Sequence, residues 1–574
     1  MNTYPEDYLV IIETQKVKSY LFASPYMRET RGGSVLLDLL NRKETRKILE
    51  ELKTKIGGGC EEIYLGGGSG RIRFDRKEDA QQFADQIIDL YRSETVSARI
   101  SVEVVAREND NGQPESFQKW VSRGVGQTQQ DKLGRLEGVP LLEGRWIRPC
   151  SSCGCEPAVK RLSEHGEHWL CRACIIKRME VNNLYWVTKR GKKTYHDLKS
   201  SDKLSARYTE NFIFTTLARY SEKKGFSVVL PQDFEDIGKV SRPLNYMGFI
   251  YADGNRMGET IKSMGDVYPK EQEMKQAYTA FSEIVDQATR DAAVDAVMGT
   301  VKRKPVDDTR FCVPAEYIMA GGDDLMLVVP AQDALDVAVA FIERYQDNTR
   351  ELQAKFIKEG KLSKEFSSEG LTTSAGVIIA HVNYPVSDLM IMAGDLMKLA
   401  KKKAADLARK TNEKPVYTGT LDFMVVHESV SEPVKKRREK EYMDPHNAGS
   451  GKVQVARTER PYTVGEAKAF LQIIRNLKAE GFPRTKLKAL YPVLFQKTMQ
   501  AQFDAQRLRE RIKTTGQMAD AGQWQQLTLE LDLFPFRRKD KSNWTTPLSE
   551  IIELYDFIQL RPSSTTDVNG GGHD

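Results

Sequence analysis

The run Tyr317-Ile318-Met319-Ala320-Gly321-Gly322-Asp323-Asp324-Leu325-Met326-Leu327-Val328-Val329 reads as an apolar strand, a tight turn bearing two carboxylates, and a second apolar strand. Two glycines ahead of two acids let the backbone turn sharply and approach a ligand closely. The acids then stand at the tip of a hairpin. Adjacent carboxylates repel one another, so a tip that holds both calls for a cation. The flanking strands are almost continuously apolar, which suits a sheet covered on both faces.

Upstream, Tyr246-Met247-Gly248-Phe249-Ile250-Tyr251-Ala252-Asp253-Gly254-Asn255-Arg256-Met257-Gly258 is a second strand of buried type, running into Asp253, a glycine-bearing turn and a helix. If the two strands are neighbours, Asp253 converges with Asp323 and Asp324. Hard divalent ions with phosphate oxygens are the natural occupants of such a site, and two of them can clamp an in-line displacement at phosphorus.

With these residues in hand the chain resembles a known family. Asp253-Gly254-Asn255-Arg256-Met257-Gly258 followed by Gly321-Gly322-Asp323-Asp324 is similar to the catalytic palm of the large subunit of type III CRISPR effector complexes, the Cmr-type in particular. That palm is related to the GGDEF nucleotide cyclases. Ala393-Gly394-Asp395-Leu396-Met397-Lys398-Leu399-Ala400-Lys401 resembles the cyclases' helix whose terminal lysine holds the nucleotide phosphates, and Thr373-Ser374-Ala375-Gly376-Val377-Ile378-Ile379 resembles the strand before it. The resemblance implies an α+β chain with two ferredoxin-like palms. It implies that Asp253, Asp323 and Asp324 bind two Mg²⁺ or Mn²⁺ ions. Gly254, Gly321, Gly322 and Lys401 would contact the nucleotide.

The 574 residues are enough for three or four domains. Residues 1–148 read as a degenerate first palm, because strand, helix, glycine hairpin, helix and strand recur in the later order. Here Gly67-Gly68-Ser69-Gly70 stands for Gly321-Gly322-Asp323-Asp324, so the carboxylates are missing, and Glu13 stands near the place of Asp253. The stretch from Ile12 through Arg31-Gly32-Gly33-Ser34 to Asn41-Arg42 resembles the family's first palm, with the helix expected to begin after the glycines. Residues 181–243 are expected to be a connecting helical segment. Residues 244–426 are the catalytic palm, with helices over Gln272–Met298, Gln332–Phe356 and 386–410. Residues 427–462 read as a basic linker, 463–561 as a helical bundle opened by a Thr463–Glu466 capping box, and 562–574 as a disordered tail.

Five of the seven cysteines lie between Cys150 and Cys174. Cys150-x2-Cys153 and Cys171-x2-Cys174 each let a turn present two thiolates to one ion, which predicts a closed four-cysteine Zn²⁺ site in a ribbon over 149–180. Cys155, His165 and His168 are the competing donors. His196-Asp197 lacks the further His and Asp residues that a metal-nuclease domain needs, so no DNase activity of that type is expected.

Charged residues make up 29% and apolar ones 40%, ordinary for a globular protein. No apolar run approaches the ~20 residues of a membrane span, and the first residues carry no signal-peptide pattern, so the expected place is the cytoplasm. A net charge of +6 confines any nucleic-acid contact to local patches. By resemblance the chain makes cyclic oligoadenylate from ATP inside an antiviral complex with guide RNA and sister subunits, activated by target RNA. The competing readings are an idle scaffold subunit and a stand-alone cyclase or ATP-conjugating enzyme.

Overall fold

A computed structural model describes the chain except for residues 1–6, 58, 109–112, 135–146, 163–167, 186, 190–191, 195–211, 309, 367–368, 411–417, 429–431, 445–453, 515–521, 540–542 and 561–574. His165, His196-Asp197, Gly449-Ser450-Gly451 and the tail therefore lie outside the described residues. The chain divides into two compact units, Met1–Ser241 with Asn245–Val426, and Arg242–Leu244 with His427–Asp574.

The first unit begins with a four-stranded antiparallel sheet in the order β2-β3-β1-β4, made of β1 (Tyr8–Gln15), β2 (Cys60–Gly66), β3 (Ser69–Phe74) and β4 (Arg99–Ala106). Helices α1 (Val17–Leu21), α2 (Met27–Leu39), α3 (Thr45–Ile56), α4 (Lys77–Thr95) and α5 (Phe117–Gly134) accompany it. α2 begins at Met27, so Gly32-Gly33 lie inside the helix rather than ahead of it. The reason is a close approach. A Cβ at Gly33 would stand 3.2 Å from Tyr20 Cε1 and 3.3 Å from Leu21 Cδ2, so the missing side chain lets α1 pack against α2. Between α2 and α3 the chain makes one π-helical turn, Leu40–Glu44.

The Cys150–Cys174 segment follows, with a short hairpin (Lys160–Leu162 and His168–Leu170) and helix α6 (Arg172–Tyr185). Ser152 and Arg178 both donate to Glu29 on α2, a carboxylate with no exposed surface.

The second sheet of this unit runs β6-β7-β5-β8-β9, with β5 (Tyr246–Gly254), β6 (Glu316–Gly321), β7 (Asp324–Pro330), β8 (Thr373–His381) and β9 (Thr420–Val426). β5, β7 and β8 are buried at successive positions, as strands covered on both faces must be. The long helices α7 (Glu271–Thr300), α8 (Ala334–Lys358) and α9 (Val386–Lys410) match the expected segments to within two residues.

The two sheets share more than strand order. Each hairpin carries a register shift in its outer strand, Glu62/Tyr64 in one and Tyr317/Met319 in the other, and closes on Gly66↔Ser69 or Gly321↔Asp324. The structural equivalent of Gly321-Gly322-Asp323-Asp324 is therefore Gly66-Gly67-Gly68-Ser69, one residue earlier than the sequence pattern suggests. Gly67 and Gly322 then correspond, and both have positive φ, 60° and 58°. Glu13 pairs with Ser69 and forms an ion pair with Arg71, so the first site carries one neutralised carboxylate.

In the second unit, the Thr463–Glu466 capping box is present and opens helix Val464–Ala479. Residues 427–462, expected to be a linker, contain a helix over Val434–Tyr442. Its first and last residues are buried eight positions apart, and strands Met443–Asp444 and Gln454–Ala456 join a small sheet with Asn543–Thr545 and Arg537–Arg538. No helix among the described residues is long and apolar enough to cross a membrane.

Candidate active site

β5 lies between β7 and β8, and that order builds the site. The β5–β7 ladder ends at Ala252↔Leu325, so the next residues, Asp253 and Asp324, lie side by side just past its end, while Asp253 still pairs with Ser374 on β8. Gly254 has no side chain, and a Cβ there would sit 2.8 Å from Asp323 Cβ and 3.0 Å from Asp323 Oδ2. Asp323 is thereby allowed to fold over β5 toward Asp253. Burial, reinforced by the Asp253 and Asp324 charges, pushes Asp323 well above the usual carboxylate range. Burial and Asp253 do the same to Asp324. This is the electrostatics of a site short of positive charge.

Two lysines supply part of it. Lys401, on α9, places Nζ 2.7 Å from Asp253 Oδ2. Lys18, on α1 of the first sheet's domain, bonds to the Tyr251 hydroxyl and stands 4.3 Å from that ring's centroid. Burial and the Asp324 and Asp253 charges raise the Tyr251 phenol, which keeps it a donor beside the acids. Asp253, Asp323, Asp324, Gly254 and Lys401 are therefore gathered as the sequence suggested. Lys18 and Tyr251 were missed. Tyr251 is two residues before Asp253, which puts it on the same strand face, and that period was the available signal. Nothing in the sequence near Lys18 points to a site 233 residues away.

A cleft lined by Lys18, Asn41, Arg42, Gly67, Gly321 and Asp324 lies between the two glycine hairpins. Hard cations take oxygen donors, and three carboxylates at one strand end fit them in type and charge. Among the described residues, the tightest ligand group is instead the four cysteines.

The Sγ atoms of Cys150, Cys153, Cys171 and Cys174 all lie within 4.8 Å of one another. Cys153 and Cys171 are 3.8 Å apart, the spacing that tetrahedral Zn–S bonds of ~2.3 Å produce. The amides of Ser152 and Cys174 point at the sulfurs of Cys150 and Cys171. Cys155 is exposed and outside the group, its thiol donating to the Cys153 carbonyl at 3.1 Å. His168 meets the Tyr26 ring instead. Metal analysis of the purified chain should give one zinc per chain, unchanged in Cys155→Ser and lost in Cys171→Ser/Cys174→Ser. The double variant should also lose thermal stability. Zinc retention by it would refute the assignment.

Residues 246–410 match the family profile described as Cas10/Cmr2, second palm domain. The chain is 21% identical over 469 residues to the CRISPR system Cmr subunit Cmr2 of Pyrococcus furiosus, covering 66% of this chain and 52% of that protein. The match thus spans about half of that relative's length. Among solved structures, Csm1 of T. onnurineus superposes with a TM-score of 0.50 at 13% identity, over 97% of this chain and 70% of Csm1. A Csm1–Csm4 cassette in complex with cA3 gives 0.48 at the same identity and coverage, a likeness too loose to argue from.

Proposed function

We propose, from the premise that the chain is of the Cas10/Cmr2 type through its second palm domain, residues 246–410, that it is a metal-dependent nucleotidyl transferase. Its substrate is ATP and its product a cyclic oligoadenylate. It works within an RNA-guided, multisubunit type III CRISPR complex that target RNA activates. The observation that carries this reading is the meeting of Asp253, Asp323 and Asp324 at the ends of two paired strands, beside Lys401. The carboxylates would hold two Mg²⁺ or Mn²⁺ ions, which when bound supply Lewis acidity to the attacking hydroxyl and the leaving pyrophosphate.

The chain's own residues do the rest. Gly321 and Gly322 let a ribose or base approach the backbone. Gly254 leaves Asp323 free to turn inward. Lys401, whose Nζ stands 2.7 Å from Asp253 Oδ2, would hold the triphosphate. Lys18 brings a second ammonium to the same cleft from the other domain. A ribose hydroxyl oxygen of one nucleotide then attacks the α-phosphorus of another, and pyrophosphate departs.

The scaffold reading has one observation in its favour, the direct Lys401–Asp253 ion pair, which already neutralises one of the three acids. Incubating the intact RNA-loaded assembly, with target RNA, with each ribonucleoside triphosphate and Mg²⁺ or Mn²⁺ separates the two. Pyrophosphate release and an oligoadenylate mass from ATP are expected. Absence of both would leave the scaffold.

A further inference from the structure

We propose that Asp286, gripped by Arg42 from the first glycine-hairpin domain, is a positioning residue that fixes the Gly321–Asp324 turn. Through it the first hairpin domain acts on the acidic site. The rate consequence rests on the nucleotidyl-transfer reading; the structural consequence does not.

Asp286 sits in the middle of α7, nearly buried. Its Oδ1 accepts from the Gly322 amide at 3.0 Å and from Arg42 Nη2 at 2.9 Å. Its Oδ2 accepts from Arg42 Nη1 at 2.8 Å and from Arg290 Nη1 at 2.8 Å. A carboxylate has about four acceptor sites, so Asp286 is saturated and holds structure rather than ligand. One turn on, Thr289 Oγ1 donates to the Gly322 carbonyl at 2.6 Å. Both polar groups of the Gly322 backbone are thus tied to one helix. Gly322 is the residue whose positive φ makes the turn, and Asp323 follows it directly.

Arg42 lies in the π-helical turn between α2 and α3, a local irregularity frequent at functional sites. Asp38, one turn earlier, accepts from Arg42 Nε at 2.7 Å and completes the grip. Beside it the two hairpins touch tip to tip. A Cβ at Gly67 would be 3.3 Å from the Gly322 nitrogen. A movement of the first hairpin or of the π turn therefore reaches the turn that carries the acids.

A buried ion pair that only stabilises the fold is the plainer alternative, and the two differ in what they move. In the full-length chain, Asp286→Ala should speed amide exchange in segments spanning 319–325 by about tenfold while core strands keep their protection. Arg42→Ala should do the same. The double variant should be no worse than Asp286→Ala alone, since both remove one linkage. With ATP, in the RNA-loaded assembly with target RNA, kcat should fall on the order of 10- to 100-fold with KM little changed, as expected when a catalytic group is displaced by ~1 Å. Asp286→Asn, whose amide oxygen still accepts from Gly322, should lie between, which guards against simple misfolding of the alanine variant. Parent-like exchange at 319–325 in Asp286→Ala would overturn the clamp. So would faster exchange with an unchanged kcat, or additive effects of the two substitutions. A parent RNA-loaded assembly inactive on ATP in the presence of target RNA would defeat the nucleotidyl-transfer reading instead, and the exchange results would still decide the clamp.

Discussion

Asp323→Ala/Asp324→Ala should abolish product and yet leave the metal-free protein at least as stable as the parent. The rate loss follows from the chemistry. Removing one preorganised charge-stabilising group costs about 10²–10³ in rate, and this variant removes two of the three candidate ion ligands. The stability effect has the opposite sign. Burial and neighbouring acids raise both carboxyls in the folded chain above their unfolded values. A carboxyl so raised binds more protons folded than unfolded. Its cost is absent below the ordinary carboxylate range and grows as pH rises through and beyond it. Without divalent ions, the advantage of the double variant should therefore be larger at pH 7.5 than at pH 5. Adding Mg²⁺ should raise the melting temperature of the parent and not of the variant. Calorimetry with and without Mg²⁺ at the two pH values measures all of this. A metal-free variant clearly less stable than its parent at pH 7.5 would mean that the acids hold the hairpin together rather than wait for cations.

Arg31→Ala should strongly destabilise the first unit. Arg31 is 1% exposed, and so is its partner Glu316. The guanidinium forks onto both Glu316 oxygens, with Nε 2.8 Å from Oε1, and Nη2 also donates to the Pro231 carbonyl at 2.9 Å. Truncating one partner leaves a buried carboxylate without its counter-ion, which costs about 3–5 kcal/mol. Replacing both at once, as Arg31→Met/Glu316→Leu, should recover most of that loss, because a well-packed apolar pair is often as stable as the ion pair it replaces. Urea denaturation of the two variants gives the comparison. A single-variant loss below about 1 kcal/mol would show that water or rearrangement reaches the pair. Glu316 opens the strand that ends in Gly321, so the single variant should also disturb the acidic turn.

The elements of the acidic site were legible because their signals are local. Continuous apolar runs, a Gly-Gly-Asp-Asp turn and paired Cys-x2-Cys each depend on residues a few positions apart, and backbone geometry converts such spacing directly into strand, turn and metal knuckle. Helix bounds could be read within two residues over long periodic segments for the same reason. Where a local signal is ambiguous the reading slipped. Gly32-Gly33 look like a helix boundary but lie inside α2, where Gly33 serves a close contact with Tyr20 and Leu21. Val434–Tyr442 is so charged that it reads as solvated chain, though its two ends are buried. Four glycines and a serine in a row leave the hairpin alignment uncertain by one residue until the ladder fixes it.

Lys18 with Tyr251, Arg31 with Glu316, and Arg42 with Asp286 are separated by 233, 285 and 244 residues. Taken alone, none of these side chains sits in a local pattern that names its partner. Only the packing of one hairpin domain against the other removes water from these groups, and desolvation is what makes a partner obligatory. The local pattern thus specifies the acids, the thiolates and the strands that carry them. The folded chain decides which distant cations hold those acids in place, because burial, and not residue type, sets the strength of a charge pair.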